Sequence, residues 1–316
     1  MKRAHYWLLI LAPFFWSFNF VIGKTIVTVI PPITLNLLRW IIPVALFLLL
    51  TWKDLRKNIS LYLANWPLLL LLGATGYFLN TISVYYSVRY TTAINASLLA
   101  SFSPAIFALF SYIFYKDKIS PLQGVGIIFS IFGVFWIVFK GEVRGFVNLK
   151  PNIGDMLMLI SVVSWAIHSL VFKKRVHALS SNSLFTLMML SGVLLTLPFS
   201  LWENRQSNWS WLPQMDKNLF LSIVILNIFP SLLAFFLWNK ALLKVSSNQA
   251  AIFLNFSPVF TTLISILFLG EHLMLYHFTG GILIFTGVIL VTNSPVLIEL
   301  LSKKVNLKEK PVKAEE

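Results

Sequence analysis

The sequence predicts an all-α integral membrane protein of ten transmembrane helices, arranged as two inverted five-helix repeats. Three observations predict it: a shortage of charge, ten apolar runs of spanning length, and a pattern that recurs in the second half. Of the 316 residues 58% are hydrophobic and only 11% are charged, whereas a soluble domain carries roughly 25% charged residues. A water-facing surface cannot be covered with so few. The net charge of +14 does not imply nucleic acid, because the Lys and Arg residues fall in short clusters between apolar runs and not on one polar domain. With 0 cysteines, disulfides, iron-sulfur clusters and thiolate metal sites are excluded, and no cofactor is implied. The partner that composition does imply is the lipid bilayer.

A bilayer core about 30 Å thick needs roughly 20 apolar residues per spanning helix. Ten segments qualify, at 6–28, 33–52, 66–88, 93–115, 121–139, 154–172, 184–202, 219–242, 249–269 and 276–292. The first follows Lys2-Arg3 but is too long for a signal-peptide core and lacks a small-residue cleavage site, so it reads as a retained helix. Most of the 25 Lys and Arg residues, including Lys173-Lys174-Arg175 and the C-terminal lysines, lie on one side of this arrangement. Because basic residues accumulate in the cytoplasm, both termini are expected inside, in what is expected to be a bacterial plasma membrane. The chain then divides into a first repeat at 1–139, an external connection at 140–153, a second repeat at 154–293 and a cytoplasmic tail at 294–316. After Pro295 the tail reads as a short amphipathic helix on the inner leaflet, with disorder beyond about Asn306.

The repeat is visible in residue order. The offset that aligns Phe102-Ser103-Pro104 with Phe256-Ser257-Pro258 also aligns Asp117 with Glu271, Gly126 with Gly280 and Gly133 with Gly287. A slightly smaller offset aligns Trp16 with Trp165 and Lys24 with Lys173. Five helices per half is odd, so the second half enters the membrane from the opposite side. Two halves related in that way can exchange conformations and open one central site to either face.

The stretch Trp16-Ser-Phe-Asn-Phe-Val-Ile-Gly-Lys24, its echo at Gly154-Asp155 and Ser164-Trp165, and the paired patterns Ala93, Ser97, Pro104, Asp117 and Ala250, Pro258, Gly270-Glu271 resemble EamA-type transporters of the drug/metabolite transporter superfamily. The resemblance runs from about Trp7 to Thr292. It implies two inverted five-helix halves, a central cavity lined mainly by helices 1, 3, 4, 6, 8 and 9, and export or exchange of small metabolites. Ser17 stands where the family usually has glycine, and Lys116-Asp117 where it has Gly-Glu. The second departure weakens any special role for Asp117.

Polar residues within spans are costly unless they face protein or water, so they mark candidate sites. On the first helix Trp16, Asn19, Phe20 and Gly23 share one stripe, and Trp165, His168, Ser169 and Phe172 repeat it on the sixth. These stripes either line a cavity or join helices by hydrogen bonds. Helix 3 offers Gly73, Tyr77, Asn80 and Val84, and helix 8 offers Asn227, Ser231, Ala234 and Trp238; for Tyr77, Asn80, Asn227 and Trp238 both readings stay open. Tyr85 and Tyr86 read as an aromatic belt and Lys24 as a snorkelling interface lysine. Pro104 and Pro258 free the carbonyls of Ala100 and Leu254, and Ser101 and Asn255, three residues before each proline, either fill the gap or face substrate. Arg39 is the one charge well inside a predicted span, without a counterpart in the second half; it binds either an anionic group of the substrate or a backbone carbonyl.

No HExxH pair and no GxxxxGK[ST] loop occurs, so neither a zinc protease nor an ATPase is supported. The expectation is a secondary transporter, exporter or exchanger, of small organic metabolites such as amino acids or related compounds, working by alternating access. The alternative is a membrane-embedded enzyme acting on a lipid-linked or small polar substrate. With no carboxylate deep in a span, passive transport or exchange is expected, with proton coupling through His168 as the fallback.

Overall fold

The computed structural model describes residues 3–142, 151–175, 181–242 and 253–308. Helix α1 is Arg3–Ile26, α2 Pro32–Lys57, and the short α3 Ile59–Ala64 links to the third span. That span is α4 (Trp66–Gly73), a π-helical segment (Ala74–Leu79) and α5 (Asn80–Tyr90). The fourth is broken into α6 (Ala93–Ala100) and α7 (Ser103–Tyr115), and α8 (Pro121–Val138) follows. The second half contains α9 (Ile153–Arg175) and α10 (Ser181–Gln206), then α11 (Lys217–Leu226), a second π segment (Asn227–Leu233) and α12 (Ala234–Leu242). It ends with α13 (Phe256–Leu269) and α14 (Leu275–Lys308).

Among the described residues nine helical stretches are long and apolar enough to cross a membrane, and Phe256–Leu269 is a shorter apolar helix. The sequence places a span at 249–269, but its start lies outside the described residues. Apolar side chains stand outward, with Leu50 79% and Phe268 78% exposed, and Trp7, Trp52, Trp66 and Trp202 lie exposed close to helix ends. This is the surface of a protein solvated by lipid. One expectation is corrected: Pro295 does not separate a second helix, since α14 runs through it unbroken. The tail beyond 308, expected to be disordered, lies outside the described residues.

Irregularities recur at matching positions. The fourth span breaks at Ser101 (φ −67°, ψ −10°) and the ninth at Asn255 (φ −69°, ψ −9°). Lys116 ends α7 with φ 57°, and Gly270 ends α13 with φ 65°. The left-handed region costs a lysine roughly 1–2 kcal/mol and a glycine almost nothing, so the Lys116 departure keeps the turn at some expense.

Packing also recurs. Helix α1 lies against the second π segment and α12, while α9 lies against the first π segment and α5. Helix α8 packs along α14, and α2 along α10. At the first of these contacts a Cβ on Gly126 would lie 2.6 Å from the carbonyl oxygen of Gly287, and one on Gly133 would lie 2.7 Å from that of Gly280. The backbones themselves touch, and the glycines that the sequence aligns meet crosswise.

Candidate functional site

The two π segments organise the polar interior. A π turn inserts one residue and leaves carbonyls to be satisfied by other groups, often at functional positions. On the first segment, Ser164 Oγ donates to the Thr75 carbonyl (2.7 Å), and His168 Nδ1 lies 3.0 Å from the Leu72 carbonyl. Asn36 Nδ2 donates to the Tyr77 carbonyl at 3.0 Å, and Ser191 Oγ to that of Leu69, also at 3.0 Å. On the second segment Pro230 cannot donate to the Leu226 carbonyl. Ser231 Oγ takes over at 2.9 Å and itself accepts from Arg39 Nε at 3.0 Å. Asn227 Nδ2 reaches the Leu38 and Ile223 carbonyls at 3.1 and 2.8 Å.

Arg39 is 95% buried: only 5% of its surface is exposed. Its guanidinium carbon sits 4.7 Å from the centre of the Trp40 ring. The Tyr85 hydroxyl donates to Asn19 Oδ1 at 3.0 Å. The polar path through the interior therefore has two links, Asn19 on α1 with Tyr85 on α5 and Arg39 on α2 with Ser231 in the second π segment.

The remaining candidates form satellites of this path. Tyr77 packs edge-on against Trp40 (4.9 Å) and His168 (6.0 Å). His168 stacks on Trp165 (5.1 Å), whose ring is 38% exposed. Trp16 meets Trp238 at 5.3 Å and Phe235 at 5.7 Å. Asn80 Nδ2 donates to Ser161, to its hydroxyl at 2.8 Å and its carbonyl at 3.0 Å. Gly73 is a close-packing point, since a Cβ there would lie 2.8 Å from both Gly192 N and the Met188 carbonyl.

Ser101 and Asn255 stand apart from the network. Ser101 Oγ donates to the Leu98 carbonyl at 2.6 Å, and the Ala100 carbonyl freed by Pro104 is taken by Ser103 Oγ at 2.6 Å. Ser103, not Ser101, fills the proline gap. Asn255 makes no side-chain cap to α13.

Three assignments change. Tyr85 is fully buried and bonded to Asn19, and Tyr86 donates to Glu203 Oε1 at 3.1 Å, so neither is a belt residue. Lys24 Nζ donates to the Thr91 carbonyl at 2.6 Å instead of snorkelling freely. Sequence reasoning also passed over two carboxylates that tie the halves together. Glu203 accepts from Ile33 N (3.2 Å), Thr34 N (2.8 Å) and Thr34 Oγ1 (2.9 Å), and Glu271 from Ala93 N (2.7 Å) and Ile94 N (3.0 Å). Each sits on the free N–H groups and positive dipole end of a helix in the other half. Glu271 lies in the short connection after α13, beside the start of α6, whereas Glu203 lies within α10 and only the tertiary contact places it at the start of α2.

The family described as the EamA-like transporter family matches residues 3–139 and 152–293. The chain is 28% identical over 270 residues to an uncharacterized transporter of Bacillus subtilis (strain 168), YetK, covering 85% of this chain and 80% of that one. It is 26% identical over 293 residues to an uncharacterized transporter of Archaeoglobus fulgidus, covering 92% and 98%. One solved crystal structure superposes with a TM-score of 0.60 at 18% identity, covering 92% of this chain and 96% of the other, a likeness of fold.

Proposed function

The chain belongs to the EamA-like transporter family, and from that premise we propose that it is a secondary transporter of small organic solutes, exporting or exchanging them by alternating access. Its ten spans form two inverted five-helix halves with both termini in the cytoplasm of a bacterial cell. The crosswise contacts of Gly126 with Gly287 and Gly133 with Gly280 support that symmetry, because a twofold axis brings each aligned residue onto the other's partner. The observation that carries the reading is the polar path through the two π segments. Several of its bonds run between the halves, from Arg39 to Ser231, Asn227 to Leu38 and His168 to Leu72. Bonds of that kind are the ones an exchange of conformations must break and remake.

The test is solute movement by the purified protein in sealed vesicles. Counterflow of a metabolite mixture is expected, and product formation without movement would identify an enzyme instead. Asn19→Leu strands the Tyr85 hydroxyl and His168→Leu strands the Leu72 carbonyl, so each is expected to reduce counterflow at least tenfold while the protein still reaches the membrane. Wild-type rates in both variants would remove the central site. Orientation is checked with single cysteines, which this chain lacks. An impermeant thiol reagent applied to intact cells should label one at Glu142 and spare one at Lys174.

A further inference from the structure

Six of the spans fall into two groups that the sequence repeat exchanges. In one, α1 lies against the eighth span and α13; in the other, α9 lies against the third and fourth spans. The groups meet where α6, the half of the fourth span on the side read as external, lies against both α1 and α13. Polar ties cross this seam. Glu271, in the turn after α13, accepts from Ala93 N at 2.7 Å and Ile94 N at 3.0 Å, the first N–H groups of α6. Lys24, in the last turn of α1, donates from Nζ to the Thr91 carbonyl at 2.6 Å, just before α6 begins. Deeper in the membrane Asn19 accepts from the Tyr85 hydroxyl.

The turn that Lys24 and Glu271 grip is secured from behind by its own group. Thr91 Oγ1 donates to the buried Asp155 Oδ1 at 2.6 Å, and the Thr92 hydroxyl caps Asn95 N at 3.0 Å. The turn therefore keeps its shape when the front contacts let go. Lys24 and Glu271 both belong to the other group, and the charge of Lys24 already interacts with that of Glu271. When the seam parts, the cation and the carboxylate answer each other and water reaches the freed N–H groups, so no charge is left buried alone, which would cost several kcal/mol. Resting on the transporter reading, we propose that Lys24 and Glu271 form the external gate of the solute path, holding the start of α6 while the path is closed to the outside and pairing with each other when it opens. Movement of one helix group against the other is how inverted repeats alternate access, and this gate assigns the external closure to two named side chains.

The test reads the opening of the seam directly. Val88 is fully buried on α5, one turn before Thr91 and 4.0 Å from where a Cβ on Gly23 of α1 would lie. In this cysteine-free chain Val88→Cys gives a single thiol beneath the gate, labelled in intact cells by a small impermeant thiol reagent. Ile137→Cys, equally buried where α8 meets α14, is the control. Lys24→Met and Glu271→Ala are each expected to raise the labelling rate of Val88→Cys at least about tenfold, the equivalent of one hydrogen bond to a charged group, and to leave that of Ile137→Cys unchanged. Glu271→Gln keeps one acceptor, so its rate should lie between, and it carries the test if the alanine variant fails to reach the membrane. If either residue can be replaced without moving the rate, or if the rate rises equally at Ile137→Cys, the gate is overturned. Vesicle counterflow reads the transporter premise separately. Labelling that responds in a protein that moves no solute upholds the moving seam and rejects transport, whereas counterflow with unresponsive labelling upholds transport and rejects this gate.

Discussion

Gly126→Leu is expected to unfold the protein at markedly lower temperature, whereas Gly124→Ala, two residues away on the same helix, should leave it near wild type. At Gly126 a Cβ would lie 2.6 Å from the Gly287 carbonyl oxygen and 3.0 Å from Val291 N, both backbone atoms that cannot rotate aside. Nothing lies within 4 Å of a Cβ on Gly124. Lipid is as apolar as a leucine side chain, so membrane helices are held together by close packing, and small residues allow the approach. Overpacking a well-filled contact costs roughly 1–3 kcal/mol, and here the obstruction is backbone, so α8 and α14 must separate along their length. Thermal unfolding in mild detergent measures it, with Gly133→Leu as the replicate at the other glycine crossing. A Gly126→Leu variant as stable as Gly124→Ala would mean that the two helices are not in backbone contact.

What the sequence made legible was what hydropathy and order record. The nine spanning stretches match the drawn segments to within a few residues at most ends, and the glycines that the sequence aligns, Gly126 with Gly280 and Gly133 with Gly287, lie at one helix contact, where they meet crosswise. The single-residue insertions did not show. A π turn changes neither length nor hydropathy noticeably, yet it rotates everything beyond it by about 100°. The stripe drawn through Gly73, Tyr77 and Asn80 at ordinary helical spacing therefore dissolved: Gly73 packs on α10, Tyr77 on Trp40 and His168, and Asn80 on Ser161. Pro230 was a clue to the second insertion, because a proline inside a span must either kink it or shift its hydrogen bonds. Tyr85 was misplaced for another reason. Closeness to a helix end suggests an interface residue, but only the tertiary contact with Asn19 reveals that its face points inward.

The same tertiary blindness hid Glu203, for which the second large effect is expected. Its carboxylate is only 8% exposed and accepts from two backbone N–H groups and the hydroxyls of Thr34 and Tyr86. Helix α2 begins at Pro32 after Pro31, which makes no side-chain cap, so this acid from α10 neutralises a helix start that has no local acceptor. Hydrogen bonds to a charged group contribute about 1.5–3 kcal/mol each, and deleting the acceptor strands buried donors. Glu203→Ala is thus expected to cost several kcal/mol, with Glu203→Gln recovering part of it because one amide oxygen remains to accept. Function should follow stability, since Asn36 and Arg39 lie on the first turns of the helix that Glu203 anchors. The measurement pairs unfolding temperature with counterflow in sealed vesicles. Glu203→Ala should lower both and Glu203→Gln should lie between it and wild type, and if alanine leaves both unchanged, the carboxylate is not what holds α2 in place.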